Sequence, residues 1–204
     1  MREGAGAFPA RDEGVSHVRA YLDEACRIAE QIDAEKVEEL AVELAALRER
    51  GDRLFVLGLG GSAANASHAV NDLRRLCGIE SYAPTDNVAE LTAAMNDDGP
   101  THVFDSAFRW MRGGDAVMIL SVGGGAIQVS GALTIIARSC AVGDYPLYGI
   151  VGRDGGETAK HAKVCVIVPP LYPDRVTPHT EAFQSVILHA LVSHPLLLRN
   201  KTNW

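Results

Sequence analysis

No stretch of the sequence approaches the ~18 consecutive apolar residues that a bilayer-spanning helix needs. The opening MREGAGAFPARDEG also lacks the apolar segment that follows the early positive charge of a secretory leader. These two gaps lead us to expect a cytoplasmic protein that does not enter a membrane. Basic charge is short as well, with 19 Lys and Arg against 26 Asp and Glu and a formal net charge of −7. Nucleic acid and anionic membranes demand a concentrated basic surface, so neither is an expected partner. Any anionic ligand must be held by local geometry. The four cysteines, Cys26, Cys77, Cys140 and Cys165, lie far apart in apolar surroundings and form no CxxC pair. That argues against a metal knuckle and a disulfide framework, and all four are expected to be reduced and buried. With no internal repeat, low-complexity tract or long linker, one domain is expected.

The apolar content of 47% in 204 residues is enough for one sizeable core. Residues 1–12 carry Gly, Pro and charge without periodicity and read as a flexible arm ahead of a single domain at 13–204. Its helical part is 13–50, where apolar residues recur at helical spacing, and its α/β core is 51–204. In that core, short apolar runs at 53–58, 79–83, 116–122, 146–152 and 164–169 alternate with helical segments near 62–76, 87–96, 101–112, 126–141, 156–162 and 178–192. Strands without polar alternation that alternate with helices imply a parallel sheet covered on both faces. The expected architecture is a three-layer α/β/α sandwich with a five-stranded parallel sheet and N-terminal helices, its site beyond the carboxyl ends of the strands.

Two glycine turns stand at such ends. In VLGLGGSAANASHAVNDL, residues 56–73, Gly58, Gly60 and Gly61 lead from the first strand into a helix, where backbone N–H groups can approach an anion closely. Ser62 is a helix N-cap, a hydroxyl donor to phosphate, or both. The spacing fits neither a dinucleotide fingerprint, since Ala63 occupies the third glycine position, nor a Walker loop, since its lysine is missing. SVGGGA, residues 121–126, follows the third strand in the same sense, and two such turns converge on one crevice. A backbone-built phosphate cradle is the reading we adopt, beside the plain alternative of two tight turns. His68 and Asp72 are one helical turn apart and share a helix face. His189 lies in the apolar SVILHALV, where burial would favour the neutral imidazole.

The two turns with His68, NDL, TDNVAELTAAMNDDG, GIVGRDGG and the terminal helix together resemble the sugar isomerase (SIS) family, specifically its phosphoheptose isomerase branch, over about residues 13–192. The resemblance implies a homotetramer with active sites at subunit interfaces, converting sedoheptulose 7-phosphate into the corresponding aldoheptose phosphate, D-glycero-D-manno-heptose 7-phosphate. It implies that Gly60, Gly61, Ser62, Ser121 and the run Gly123, Gly124 and Gly125 hold the phosphate, that Asp97 and Glu181 touch substrate, and that Asp72 and His189 are catalytic. His68, Asp72, Glu181 and His189 correspond to a set that holds zinc in some members, so a divalent metal is an expected cofactor. This chain departs from the branch in three places. Asp72 replaces Glu, Glu181 replaces Gln, and Val122, Gly123, Gly125 and Ala126 stand where Thr, Ser, Asn and Ser would be. The altered second turn leaves two further readings open: an isomerase for a longer ketose phosphate, such as an eight-carbon octulose 8-phosphate, and a non-catalytic SIS module that binds a phosphosugar or a protein.

Overall fold

The computed structural model describes residues 16–126 and 130–201. The proposed arm at 1–12 lies outside them. Two helices lead in, α1 (His17–Gln31) and α2 (Ala34–Arg50), each begun by a side chain that accepts a free helix N–H: Ser16 Oγ from Arg19 N, and Asp33 Oδ1 from Lys36 N at 3.1 Å. This is the usual N-cap solution to unpaired first-turn donors. The α/β part runs β1 (Leu54–Leu57), α3 (Gly61–Cys77), β2 (Ser81–Tyr82), α4 (Val88–Asp97), α5 (Asp105–Arg109), β3 (Ala116–Ser121), α6 (Gly131–Gly143), β4 (Leu147–Val151), α7 (Gly156–His161), β5 (Val164–Ile167) and α8 (Val176–Val192).

The five strands are parallel in the order β2-β1-β3-β4-β5, with Leu54 opposite Ala116 and Val117 opposite Leu147. Every residue of β1, β3 and β4 is buried, as expected of strands covered on both faces. Leu54, Val56, Met118 and Leu120 face a core shared with α1, α2, α3 and α8. Their neighbours Phe55, Leu57, Val117 and Ile119 face a second core with α6 and the segment around Phe104. The period-two alternation of a strand therefore feeds two layers at once. The chain runs outward from β1 to β2 on one side and through β3 to β5 on the other. The resulting switch point lies between the carboxyl ends of β1 and β3.

Several sequence expectations need correction. The helix expected at 101–112 is confined to Asp105–Arg109, because residues 99–104 make turns in which His102 N donates to Gly99 O and Asp105 N to His102 O. The helix expected from 126 begins at Gly131, and 127–129 are outside the described residues. Cysteine burial holds for Cys77 and Cys140, but Cys165 is half-buried and Cys26 is exposed, on the side of α1 away from Ile28 and the core.

Candidate active site

The first glycine turn is dictated by crowding. A Cβ on Gly58 would overlap the Ser62 carbonyl, and Gly60 has φ 61 and ψ −129, a backbone state that side-chain-bearing residues avoid. Gly60, rather than Ser62, is the N-cap of α3. It caps the helix through its carbonyl, which accepts from Ala63 N at 3.0 Å and Ala64 N at 3.3 Å, with no side-chain cap among the described residues. The first N–H donors of α3 are left for solvent or a ligand. Ser62, in the first turn, is buried.

In the second turn, buried Ser121 Oγ accepts from Gly124 N at 3.1 Å. The Gly124 carbonyl accepts from Thr158 N and Thr158 Oγ1, each at 2.9 Å, and the Gly125 carbonyl accepts from Thr134 Oγ1 at 2.5 Å. The Gly124 N–H and the Gly124 and Gly125 carbonyls are thus engaged within the fold. Gly123 alone of the three reaches the cavity of about 370 Å³ between the two turns, together with Gly60, Ser62, Ser121, Val122 and Arg153. An adjoining cleft of about 600 Å³, lined by Ala63, Leu91 and Met95 among others, opens between α3 and α4. Asp97 is absent from the lining of both; it is exposed at the end of α4, its Oδ1 accepting from Asn96 Nδ2 at 2.8 Å.

Six residues beyond Ser62, about 9 Å along the helix axis, α3 meets α8. His68 Nε2 and His189 Nε2 lie 3.0 Å apart, and Asp72 Oδ2 is 3.4 Å from the first and 4.0 Å from the second. If both rings are neutral, one must donate its Nε2–H and the other accept. The carboxylate is the sheltered member, its side chain 10% exposed against 52% and 55% for the two imidazoles. Asn71 Nδ2 donates to Asp72 Oδ1 at 2.9 Å, leaving Oδ2 turned to the histidines. His189 was expected to be buried. Instead Ile187, Leu188, Leu191 and Val192 take the core side of α8 and leave His189 on the face toward α3 and solvent.

The three side chains offer two imidazole nitrogens and a carboxylate oxygen, all within 4.8 Å of one another. That donor set suits zinc, and tetrahedral ligands at the usual bond lengths stand about 3.3 Å apart, close to two of the three separations here. Glu181, expected as a fourth ligand, is not brought into this group. It sits two turns before His189, and its carboxylate packs over Gly61, where an added Cβ would be 2.5 Å from Oε2. Its own carbonyl accepts from Asn65 Nδ2 at 2.9 Å. Asn65 also donates to Gln184 Oε1 at 3.0 Å and accepts from Ser185 Oγ at 2.9 Å, a polar seam between α3 and α8 that sequence reading missed. The available signal was position: Asn65, His68 and Asp72 lie on one helical stripe.

No family model matches the chain. The phosphoheptose isomerase of Geotalea daltonii is 30% identical over 189 residues, covering 87% of this chain and 93% of that protein. The chain belongs to the phosphoheptose isomerase family. The phosphoheptose isomerase of Sulfurimonas denitrificans is 38% identical over 141 residues, 66% of this chain and 70% of its own length. Among solved structures, the phosphoheptose isomerase of Neisseria gonorrhoeae superposes with a TM-score of 0.75 at 25% identity, over 86% of this chain and 95% of the other. This phosphoheptose isomerase family member is therefore an isomerase of the SIS fold, as its sequence led us to expect. Among the described residues, no helix is long and apolar enough to cross a membrane.

Proposed function

We propose that the protein interconverts sedoheptulose 7-phosphate and D-glycero-D-manno-heptose 7-phosphate through an enediolate. The observation that carries this reading is the layout of α3. Its N-terminus borders a cavity with free N–H groups and hydroxyls, and His68 and the sheltered Asp72 carboxylate stand further along the same helix, where His189 of α8 joins them. A phosphate held at one end would put the carbonyl end of a long sugar chain toward the other.

In the ketose-to-aldose direction a proton leaves C1, an enediolate forms across C1 and C2, and a proton arrives at C2. Asp72 Oδ2 is the carbon base, taking the C1 proton and returning it to C2. His189, exposed and in contact with His68, moves the proton between the two oxygens, and the His68 ring fixes its tautomer. In place of the direct His68–His189 hydrogen bond, His68, Asp72 and His189 would hold a divalent ion, zinc by donor type, which would supply polarisation of the sugar oxygens. Ser62, Ser121 and the N–H groups at Gly60, Gly61 and Gly123 orient the phosphate. Glu181 stands beside Gly61 as a partner for a sugar hydroxyl, and Asp97 is assigned the same role in the assembled protein.

The assembly we propose is a homotetramer in the cytoplasm with its sites at subunit interfaces. Half-exposed catalytic imidazoles and the exposed apolar side chains Leu22 and Val186, on α1 and α8, support it. The deciding experiment is mass-spectrometric and NMR identification of the product from six-, seven- and eight-carbon ketose phosphates, with and without a chelator. The aldoheptose phosphate is expected from the seven-carbon substrate. Turnover of the eight-carbon substrate alone would reassign the enzyme, and turnover of none would leave a binding module.

A further inference from the structure

The cavity between the glycine turns has a charge problem. A phosphate there is a dianion, the protein carries a net charge of −7, and the Glu181 carboxylate already sits against Gly61 at the positive end of α3. Hydroxyls and backbone N–H groups orient an anion without neutralising it. Arg153 is the one charged residue in the cavity lining among the described residues.

Its backbone is held in an unusual state. Arg153 has φ 51, and among the described residues it shares a left-handed backbone outside glycine only with Asp144. Asp144 is the C-cap of α6, where that conformation is routine. Arg153 lies in the loop between β4 and α7 and has no such reason. A non-glycine residue persists there only where its surroundings over-determine it, and here they do. Gly152 N donates to Ser121 O at 3.1 Å, Gly155 N to Gly152 O at 3.0 Å and Gly156 N to Asp154 Oδ1 at 3.2 Å. Gly124 fits under the Gly155 carbonyl, with no room for a Cβ on it. The loop bearing Arg153 and the turn bearing Ser121 and Gly123 are therefore one interlocked body. The Arg153 guanidinium has no ion pair or side-chain hydrogen bond among the described residues. Arg48, Arg53, Arg138, Arg175 and Arg199 are all engaged by carboxylates.

We propose that Arg153 is the phosphate-neutralising residue of this site, an exposed guanidinium carried on a locked loop backbone that makes the enzyme select phosphorylated over unphosphorylated sugars. The proposal rests on the isomerase reading above for its substrate. Its chemistry is the fork of N–H donors that guanidinium presents to phosphate oxygens. Loss of Arg153 is a defect in binding and leaves the reacting end, on α3 and α8, untouched.

The test uses the full chain with Arg153→Gly, which suits φ 51, the relieved backbone strain offsetting the added chain entropy, and with Arg153→Lys. Two quantities are read: KM and kcat for sedoheptulose 7-phosphate, and the dissociation constant of inorganic phosphate by calorimetry. Arg153→Gly should raise KM and weaken phosphate at least tenfold with kcat within threefold. Lysine should recover part of both, and added methylguanidinium should recover part of the KM of the glycine variant. Unchanged phosphate affinity in both variants would overturn the proposal. If the parent turns over no ketose phosphate, the isomerase reading fails, and the phosphate titration alone still decides the role of Arg153.

Discussion

Gly61 and Glu181 occupy adjoining space: the helix start has no side chain, and the carboxylate fills the room a Cβ would take. A negative charge beside a helix N-terminus competes with any anion bound there. Glu181→Gln should therefore tighten inorganic phosphate binding about two- to fivefold, the ~0.3–1 kcal/mol that a charge near a helix end carries. Calorimetry at low salt is the measurement, and weaker binding would show that the carboxylate helps to hold the phosphate.

Glu181 also lies outside the group formed by His68, Asp72 and His189. Purified parent protein should contain about one zinc per chain, His68→Ala and Asp72→Asn should lose most of it, and Glu181→Gln should keep it. Elemental analysis after dialysis against a weak chelator reads this directly. Metal loss in the Glu181 variant at the level of His68→Ala would restore a four-ligand site.

Removing the proton carriers should cost rate and spare the scaffold. Asp72→Asn and His189→Ala are expected to lower kcat about 10²–10⁴-fold, the range of general acid–base catalysis, while the melting temperature and phosphate affinity stay near those of the parent. A variant that retained near-parent turnover would remove its residue from the mechanism.

Acid stability should report on Glu24, which joins α1 to α8. Its carboxylate accepts from Arg175 Nε at 2.7 Å and faces His179 Nε2 at 2.9 Å, and the Arg175 guanidinium first of all holds it down to about 2 from an ordinary 4.5. A depressed folded-state value means that the stabilisation is complete above pH ~4.5 and is lost as pH falls toward 2. Thermal melts of Glu24→Gln should lie below those of the parent at pH 6, with the gap narrowing as the pH drops to 2.5. A gap independent of pH would mean that packing, and not charge, ties the helices.

The sheet was legible in the sequence because its strands are continuous apolar runs bounded by turns, and LFVL and AVMILS admit few other readings. The glycine turns were legible as turns. Their division of labour was not, because Gly123 and Gly124 differ only in what folds against them: open cavity for one, the Gly155 carbonyl for the other. His68 and Asp72 announced themselves by spacing within one helix. Their meeting with His189 came from resemblance, since 121 residues separate His68 from His189 and no local pattern records a contact across α3 and α8. The exposure of His189 was misread because an apolar stretch does not say which of its side chains faces the core. Arg153 stands within GIVGRDGG with nothing in the sequence to single it out, because a left-handed backbone outside glycine leaves no mark in composition or periodicity.

If phosphate binds at the start of α3 and the reacting carbons lie at Asp72, as proposed above, α3 is a ruler. A residue inserted between Ala63 and Ser67 would advance Asp72 by about 1.5 Å and swing it about 100° around the axis, leaving the glycine turn as it is. On that reading substrate length is written into the register of a helix, and a homologue that lost or gained one residue there is expected to change its chemistry rather than its affinity.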